Sequence, residues 1–249
     1  MITVETLRTT RMSWINLTKS IVPPIIWASL YRALVIKNIV DSEQYSPHFS
    51  PWLAPEFVKI FAEISPYTVV DVQRCWTIRC AALQALNVPG DVVEAGVFQG
   101  GTARLIRETI GDRTDRELYL FDSFEGMKAV SAVDRHSEND FADTSVEAVR
   151  ALVGNEPFIH YRKGWVPETF AGLEDKRFCF AHIDLDLYDG VLESLKFIYP
   201  RLSPGGMMVF DDYGFASCPG ARKAVDSFFL DKPERPMVLS TSQALVTKL

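Results

Sequence analysis

The sequence lacks the features that mark several common protein classes. Its four cysteines form no CxxC pair, and two of them stand in apolar stretches where reduced thiols behave as small hydrophobic side chains. This cysteine usage predicts a protein of the reducing cytoplasm. Basic residues are also scarce, because 26 Lys and Arg face 32 Asp and Glu and give a net charge of -6. Without a positive field to hold phosphates, nucleic acid is excluded as a partner.

A long apolar run is missing too. The run over residues 21–34 is broken by Pro23, Pro24 and Arg32, so it is too short to span a bilayer and has no signal-peptide cleavage site. Basic residues before and beside it leave two interpretations open. One is a helix packed on the domain or on a partner subunit; the other is a helix lying on the inner membrane face. This run and Trp52 also predict a homo-oligomer, since such surfaces need covering.

The 249 residues suit one large domain preceded by a smaller segment. Residues 1–66, rich in proline and aromatic groups, predict an irregular helical cap, and residues 67–249 predict the catalytic domain. A helix is expected over 68–86. Beyond it, apolar strand candidates alternate with helical patterns, at 92–95, 118–121, 158–161, 178–183 and 207–210. Residues 237–239 and 244–246 suggest a closing antiparallel hairpin.

This alternation defines the expected fold class. Right-handed crossovers between the apolar runs predict an α/β, doubly wound, mostly parallel sheet of Rossmann-like type. With the C-terminal hairpin, the sheet has seven strands.

A glycine-rich loop follows the first core strand. Residues 94–102 read EAGVFQGGT, and the glycines let backbone approach a nucleotide-type ligand. The spacing is not the GxGxxG pyrophosphate fingerprint, and Glu94 would repel a pyrophosphate while suiting a cationic sulfonium. Asp122, at the end of the second strand, can accept ribose hydroxyls. The pair favours S-adenosylmethionine over NAD; the alternative is that the glycines serve packing and Asp122 caps a helix.

Paired aspartates follow two further strands. Asp184 and Asp186 end one apolar run, and Asp211 and Asp212 end another. If the strands are neighbours, Asp184, Asp211 and Asp212 converge and repel one another, a cost that a divalent cation removes. With no Cys or His pair nearby in the sequence, Mg²⁺ is favoured over zinc, and Mn²⁺ can substitute. Helix capping is the alternative for these aspartates.

The metal would lower the pKa of a coordinated hydroxyl aimed at the methyl group. Asp186 is the candidate general base, and His136, in the polar loop after Asp122, is a second one. A solvated loop residue is the alternative for His136.

Taken in order, the motifs resemble the macrocin and mycinamicin O-methyltransferase family, whose members methylate deoxysugar hydroxyls. The resemblance spans residues 67–229 and comprises VPGD at 88–91, EAGV at 94–97, DSFEG at 122–126, GW at 164–165, DLD at 184–186, YPRLSPGG at 199–206 and DDY at 211–213. It implies a class I S-adenosylmethionine-dependent enzyme with Mg²⁺ on Asp184, Asp211 and Asp212. It also implies cofactor contacts at Glu94, Gly96 and Asp122, and Asp186 as base.

The complete set of predicted site residues follows from these motifs. Asp186, Asp184 and His136 are the predicted catalytic residues. The predicted cofactor contacts are Thr68, Glu94, Gly96, Phe98, Gly100, Gly101, Thr102, Asp122, Ser123, Gly164 and Trp165.

The predicted reaction is Mg²⁺-dependent transfer of a methyl group from S-adenosylmethionine to a sugar hydroxyl, one of a vicinal pair. Leu185 stands where the family usually has glycine, and residues 1–66 match the antibiotic enzymes poorly. Their Pro23-Pro24 segment resembles methyltransferases of cell-surface glycan assembly, so the acceptor is a glycosylated natural product or a glycan. Two alternatives remain: a catechol-type O-methyltransferase with an aromatic slot of Phe98, Trp165 and Tyr213, and a non-catalytic scaffold subunit.

Overall fold

The computed structural model describes Ile26 and residues 50–111, 115–128 and 131–249. A compact unit runs from Trp52 to Leu249. The predicted membrane-surface or subunit contact of residues 21–34 lies outside the described residues, apart from Ile26. Within the described part of the chain, no helix has both the length and the apolar character needed to cross a bilayer.

A seven-stranded sheet forms the centre of this unit. Its strands are β1 (Asp91–Ala95), β2 (Leu118–Asp122), β3 (Ile159–Lys163), β4 (Phe178–Ile183), β5 (Leu202–Phe210), β6 (Met237–Val238) and β7 (Ala244–Thr247). The order is β3-β2-β1-β4-β5-β7-β6. The first five strands pair in parallel, and β7 pairs antiparallel with β5 and β6. The predicted fold class and C-terminal hairpin are confirmed.

Six α-helices accompany the strands in the described residues. They are α1 (Pro55–Ile64), α2 (Val72–Ala85), α3 (Gly101–Ile110), α4 (Val146–Val153), α5 (Tyr188–Ile198) and α6 (Pro219–Phe229). The helix expected from residue 68 begins at Val72, because the Asp71 side chain accepts hydrogen bonds from the backbone N–H groups of Gln73 and Arg74, at 2.9 and 3.0 Å. Thr68 therefore stays extended.

Helices cover both faces of the sheet because alternate strand residues point to opposite sides. Val92 packs with Ile78 of α2 and Leu105 of α3 on one face, whereas Val93 packs with Leu195 of α5 and Val225 of α6 on the other. All six residues of β4 are buried, as expected for a central parallel strand.

Residues 52–66, predicted to belong to the N-terminal cap, pack with the sheet domain. Phe57 and Ile64 of α1 are buried in the same core as α2. The Phe57 and Trp76 rings meet edge to face, with centroids 4.9 Å apart. Burial of each such side chain contributes about 1.5–3 kcal/mol, so α1 is an integral part of the compact unit.

The register of the central strands aligns their carboxyl ends. Ala95 of β1 lies beside Ile183 of β4, which in turn lies beside Phe210 of β5. The residues that follow therefore leave the sheet side by side. Gly96 has φ +90°, and a Cβ there would lie 1.8 Å from the carbonyl oxygen of Asp184. Only glycine allows this approach of the two chains.

Candidate active site

A cavity of about 340 Å³ opens at these carboxyl ends. Ligands of open α/β sheets bind in this position. The predicted residues that line the cavity are Thr68, Gly96, Phe98, Thr102, Asp122, Ser123, Gly164, Trp165, Asp184, Asp186 and Asp212. Glu94, Gly100, Gly101, His136 and Asp211 do not line it.

The carboxylate of Asp122 holds the glycine-rich loop. Its Oδ2 accepts the backbone N–H groups of Val97 and Phe98, at 2.8 and 2.9 Å, and its Oδ1 accepts that of Phe124, at 2.7 Å. Phe98 has φ 51°, an uncommon conformation for a non-glycine residue that these bonds sustain. Oδ2 is saturated by two donors, so Oδ1 keeps the capacity to accept a ribose hydroxyl.

Gly100 and Gly101 position the loop from outside the cavity. Gly100 has φ +93° and precedes the first residue of α3. A Cβ on Gly101 would lie 2.8 Å from both the Tyr67 carbonyl oxygen and the Thr68 Cβ. Close packing, the alternative raised for Gly101, agrees with this approach, and the cofactor contacts of both glycines stay predictions.

Glu94 lies behind the cavity wall. Its side chain is fully buried, and Oε1 is 2.9 Å from Nδ1 of His182. The two residues are register partners on β1 and β4, which brings their side chains together. Burial alone would lower the pKa of His182, but the carboxylates of Asp211 and Glu94 raise it to about 10. Oε1 of Glu94 is therefore occupied by His182, and the cofactor contact of Glu94 stays a prediction.

Three carboxylates converge as predicted. Ligand atoms of Asp184, Asp211 and Asp212 all lie within 4.8 Å of one another. Burial and the neighbouring carboxylates raise the pKa of Asp184 and of Asp212 well above their usual range. Ionisation of Asp184 and Asp212 is therefore unfavourable unless a further positive charge lies close to them.

Asp211 has its own compensation. Arg74 of α2 forms an ion pair with Oδ2 of Asp211, and Nε2 of Gln243 donates to Oδ1 at 2.8 Å. Nε2 of His182 is 3.7 Å from the same oxygen. Burial opposes ionisation, but these partners outweigh it and lower the pKa of Asp211. The positive charges of Arg74 and His182 thus act mainly on one member of the cluster.

Asp186 faces the cavity from an uncommon backbone conformation, with φ 58°. Its Oδ1 lies 3.3 Å from Nε2 of His136 and 3.2 Å from Sγ of Cys218. The hydrogen bond to Asp186 raises the pKa of His136 to about 9. An imidazolium at neutral pH has no lone pair left to accept a proton. His136 therefore acts as a hydrogen-bond donor to Asp186 at neutral pH.

Sequence reasoning missed four residues around these carboxylates: Arg74, His182, Cys218 and Gln243. A histidine two residues before Asp184 in an otherwise apolar strand was an available signal, because alternate strand residues share a face. For Arg74, Cys218 and Gln243 no local signal existed. Their positions depend on how α2, α6 and β7 meet the sheet.

Comparison with known proteins identifies the family of this chain. The family described as Macrocin-O-methyltransferase (TylF) matches residues 65–236. The chain belongs to that family. The resemblance inferred from the motifs is confirmed, and the match includes the glycine-rich loop, β4, β5 and the aspartates that follow them.

Individual relatives extend the assignment. A Streptomyces olivaceus protein named 8-demethyl-8-(2,3-dimethoxy-alpha-L-rhamnosyl)-tetracenomycin-C 4'-O-methyltransferase is 34% identical over a match that covers 62% of this chain and 66% of that protein. The demethyldecarbamoylnovobiocin O-methyltransferase of Streptomyces niveus is 32% identical, with 65% and 67% covered. The match thus spans about two thirds of each relative's length.

A solved structure of the O-methyltransferase NovP superimposes with a TM-score of 0.65 at 27% identity. The superposition covers 73% of this chain and 82% of that one. The sheet order of this family member is accordingly that of the class I methyltransferases.

Proposed function

We propose that this chain transfers the methyl group of S-adenosylmethionine to a hydroxyl group of a sugar, with a divalent cation at Asp184, Asp211 and Asp212. The observation that carries the proposal is that these three carboxylates lie within 4.8 Å of one another, while Asp184, Asp212 and Asp186 line the same cavity as Asp122. The name of the tetracenomycin relative specifies a rhamnosyl group, which supports a sugar on a natural product or glycan as acceptor.

The cavity suits a small-molecule cofactor. Its volume of about 340 Å³ falls within the range of ~300–1,000 Å³ that small-molecule sites occupy. Phe98 and Trp165 offer apolar surface, and Asp122 Oδ1 offers an acceptor for a ribose hydroxyl. When bound, S-adenosylmethionine supplies the methyl group on a sulfonium centre. The role of the chain is to hold the two reactants in line, the positioning that such a transfer mainly needs.

The donor set also suits a hard cation. All three groups are carboxylates, and Asp184 and Asp212 have no ion-pair partner within 4.0 Å among the described residues, which favours Mg²⁺ or Mn²⁺. When bound, the cation would lower the pKa of a hydroxyl that it coordinates. Asp211 is already paired with Arg74, so part of its negative charge is compensated before a cation binds.

Asp186 is proposed to accept the proton of the acceptor hydroxyl. Its Oδ1 carries the contacts with His136 and Cys218, whereas its Oδ2 has no hydrogen-bond partner among the described side chains. Oδ2 is therefore the oxygen available to the acceptor. His136, as imidazolium, orients the Asp186 carboxylate and lies at the edge of the site.

A catechol-type acceptor is the second candidate. Phe98 and Trp165 line the cavity, as an aromatic slot requires. Tyr213, the third aromatic residue predicted for that slot, is not among the lining residues, and its hydroxyl donates to Asp226 at 2.7 Å. With one side of the slot missing, the sugar acceptor is the better supported of the two.

The test is calorimetric titration of S-adenosylhomocysteine into the wild type and Asp184→Ala, each with Mg²⁺ and with EDTA, followed by methyl-transfer assays on sugar and catechol acceptors. We expect S-adenosylhomocysteine to bind in all four cases, and transfer to a sugar to need both Mg²⁺ and Asp184. Asp231→Asn, on an exposed loop, is the matched control. Transfer that persists in EDTA would remove the cation from the proposal, and absent cofactor binding would remove the reaction.

A further inference from the structure

A second cluster of potential metal ligands lies next to the three carboxylates. It consists of His136 from the loop between β2 and α4, Asp186 after β4, and Cys218 immediately before α6. His136 and Asp186 are partly exposed to solvent, and Cys218 is buried. Three distant parts of the chain thus place an imidazole, a carboxylate and a thiol together.

One atom of each residue forms a compact triangle. Nε2 of His136 is 3.3 Å from Oδ1 of Asp186 and 3.5 Å from Sγ of Cys218, and Sγ is 3.2 Å from the same Oδ1. Zinc bonds of about 2.0 Å to nitrogen and oxygen and about 2.3 Å to sulfur, at tetrahedral angles, separate the ligand atoms by roughly 3.3–3.5 Å. The triangle therefore has the size of one face of a zinc tetrahedron.

The imidazole is also held as zinc-binding histidines are held. Nδ1 of His136, which faces away from the triangle, lies 3.2 Å from Oδ2 of Asp140. That oxygen in turn accepts the backbone N–H of Ser137, at 2.9 Å. A carboxylate on the second ring nitrogen fixes the ring and leaves Nε2 as the coordinating atom. This contact is independent of the triangle itself.

We propose that His136, Asp186 and Cys218 bind Zn²⁺ at a second site beside the carboxylate cluster, where Sγ of Cys218 is 3.8 Å from Oδ1 of Asp212, and that zinc bound there inhibits the enzyme. A mixed nitrogen, oxygen and sulfur set selects zinc, whereas Mg²⁺ requires oxygen ligands. Binding releases to solvent the thiol proton of Cys218 and the extra proton of the His136 imidazolium. The inhibitory part rests on the proposed function, because it requires Asp186 to act as the base.

The binding part can be tested without any methyl-transfer assay. The full chain is stripped of metal, saturated with Mg²⁺ to fill the carboxylate cluster, and titrated with Co²⁺, which reports a thiolate ligand by a charge-transfer band in the near ultraviolet. We expect the band in the wild type and in Cys80→Ser, which removes an exposed cysteine. We expect no band in Cys218→Ser, and Zn²⁺ should abolish the wild-type band by displacing Co²⁺.

Zinc affinity, measured by competition with a chromophoric chelator, provides a second readout. His136→Gln retains Cys218 and should weaken zinc binding by at least the roughly 10–100-fold that follows loss of an outer-shell partner. Thermal melting checks whether each variant is folded. If Cys218→Ser is unfolded, the zinc affinity of His136→Gln provides the test.

No charge-transfer band in the wild type, a band that survives in Cys218→Ser, or unchanged zinc affinity in His136→Gln would overturn the site. Zinc binding without loss of methyl transfer would overturn only its inhibitory role. Failure of the proposed function would instead appear as absent methyl transfer with the cobalt band intact.

Discussion

The backbone N–H of Asp186 donates a hydrogen bond to Oδ2 of Asp212, at 2.8 Å. This bond joins the segment after β4 to the segment after β5, so the proposed base and a proposed metal ligand are held as one unit. It also stabilises the positive φ of Asp186, since strained residues persist where their surroundings over-determine them. Leu185, which stands where the family usually has glycine, does not prevent this arrangement.

Asp186→Asn should abolish most of the activity while leaving the site assembled. Asparagine tolerates a positive φ and keeps the backbone N–H that bonds Asp212, but its amide cannot accept the hydroxyl proton. We expect kcat to fall by about 10²–10⁴-fold, the usual contribution of a general base, with S-adenosylhomocysteine affinity almost unchanged. Steady-state kinetics and calorimetry check this. A kcat close to that of the wild type would locate the base elsewhere.

Asp122→Asn should weaken cofactor binding. Both oxygens of Asp122 accept backbone N–H groups, so the amide nitrogen of the variant must face a donor. Leaving such a group without an acceptor costs about 1–3 kcal/mol, and if this cost falls on the cofactor-bound loop, S-adenosylhomocysteine should bind about 5–150-fold more weakly. Asp143→Asn is the control, because Asp143 bonds only the side chain of Gln99 on the same loop. Equal affinity in both variants would contradict the role of Asp122.

Asp184 and Asp211 should respond differently to amide substitution in metal-free protein. The pKa of Asp184 is raised in the folded state, so the folded protein binds more protons there and loses stability as pH rises. Asp184→Asn should therefore leave the free energy of unfolding at pH 7 unchanged or increased. Asp211→Asn should lower it, since Arg74 loses its buried carboxylate partner and, among the described residues, keeps only the pair with the exposed Asp71.

Metal binding gives the complementary readout for this cluster. Mg²⁺ that binds only the folded state should raise the melting temperature of the wild type and leave that of Asp184→Asn unchanged. Denaturant unfolding and thermal melting, with and without Mg²⁺, distinguish these outcomes. A wild-type melting temperature insensitive to Mg²⁺ and Mn²⁺ would argue against the cation site.

Glu234 should confer acid-sensitive stability far from the active site. Burial would raise its pKa, but hydrogen bonds from the Tyr199 hydroxyl, at 2.6 Å, and the backbone of Leu249 outweigh burial and lower it from 4.5 to about 2. The folded pKa lies below the unfolded one, so this stabilisation is complete above about pH 4.5 and disappears as pH falls through about 2. Its full size is roughly 3 kcal/mol, because one pKa unit corresponds to about 1.4 kcal/mol.

Glu234→Gln should therefore lower the free energy of unfolding at pH 7 and flatten its dependence on pH in the acid range. Glu193→Gln is the control, since Glu193 pairs with Lys196 on the surface of α5, where such pairs contribute about 0–1 kcal/mol. Parallel acid unfolding curves for the wild type and Glu234→Gln would contradict the assignment.

Sequence periodicity predicted the fold because the signals that set it are local. In residues 178–183 every side chain is apolar except that of His182, which pairs with Glu94. Such a run favours burial on both faces and therefore becomes a central strand. Helix boundaries were less predictable. The start of α2 depends on one Asp71 side chain that caps the helix, and apolar spacing carries no information about that contact.

The sequence by itself determined the apolar runs that become strands, the glycine-rich loop and the four aspartates at strand ends. Each of these features depends on residue type and spacing along the chain. Only the tertiary structure decided which charges meet. In the folded chain Glu94 contacts His182, and Arg74 pairs with Asp211. His136 and Cys218 both contact Asp186. The physical reason is that electrostatic partnership depends on separations of a few ångströms between residues that are distant in sequence, and sheet register and helix packing alone fix those separations.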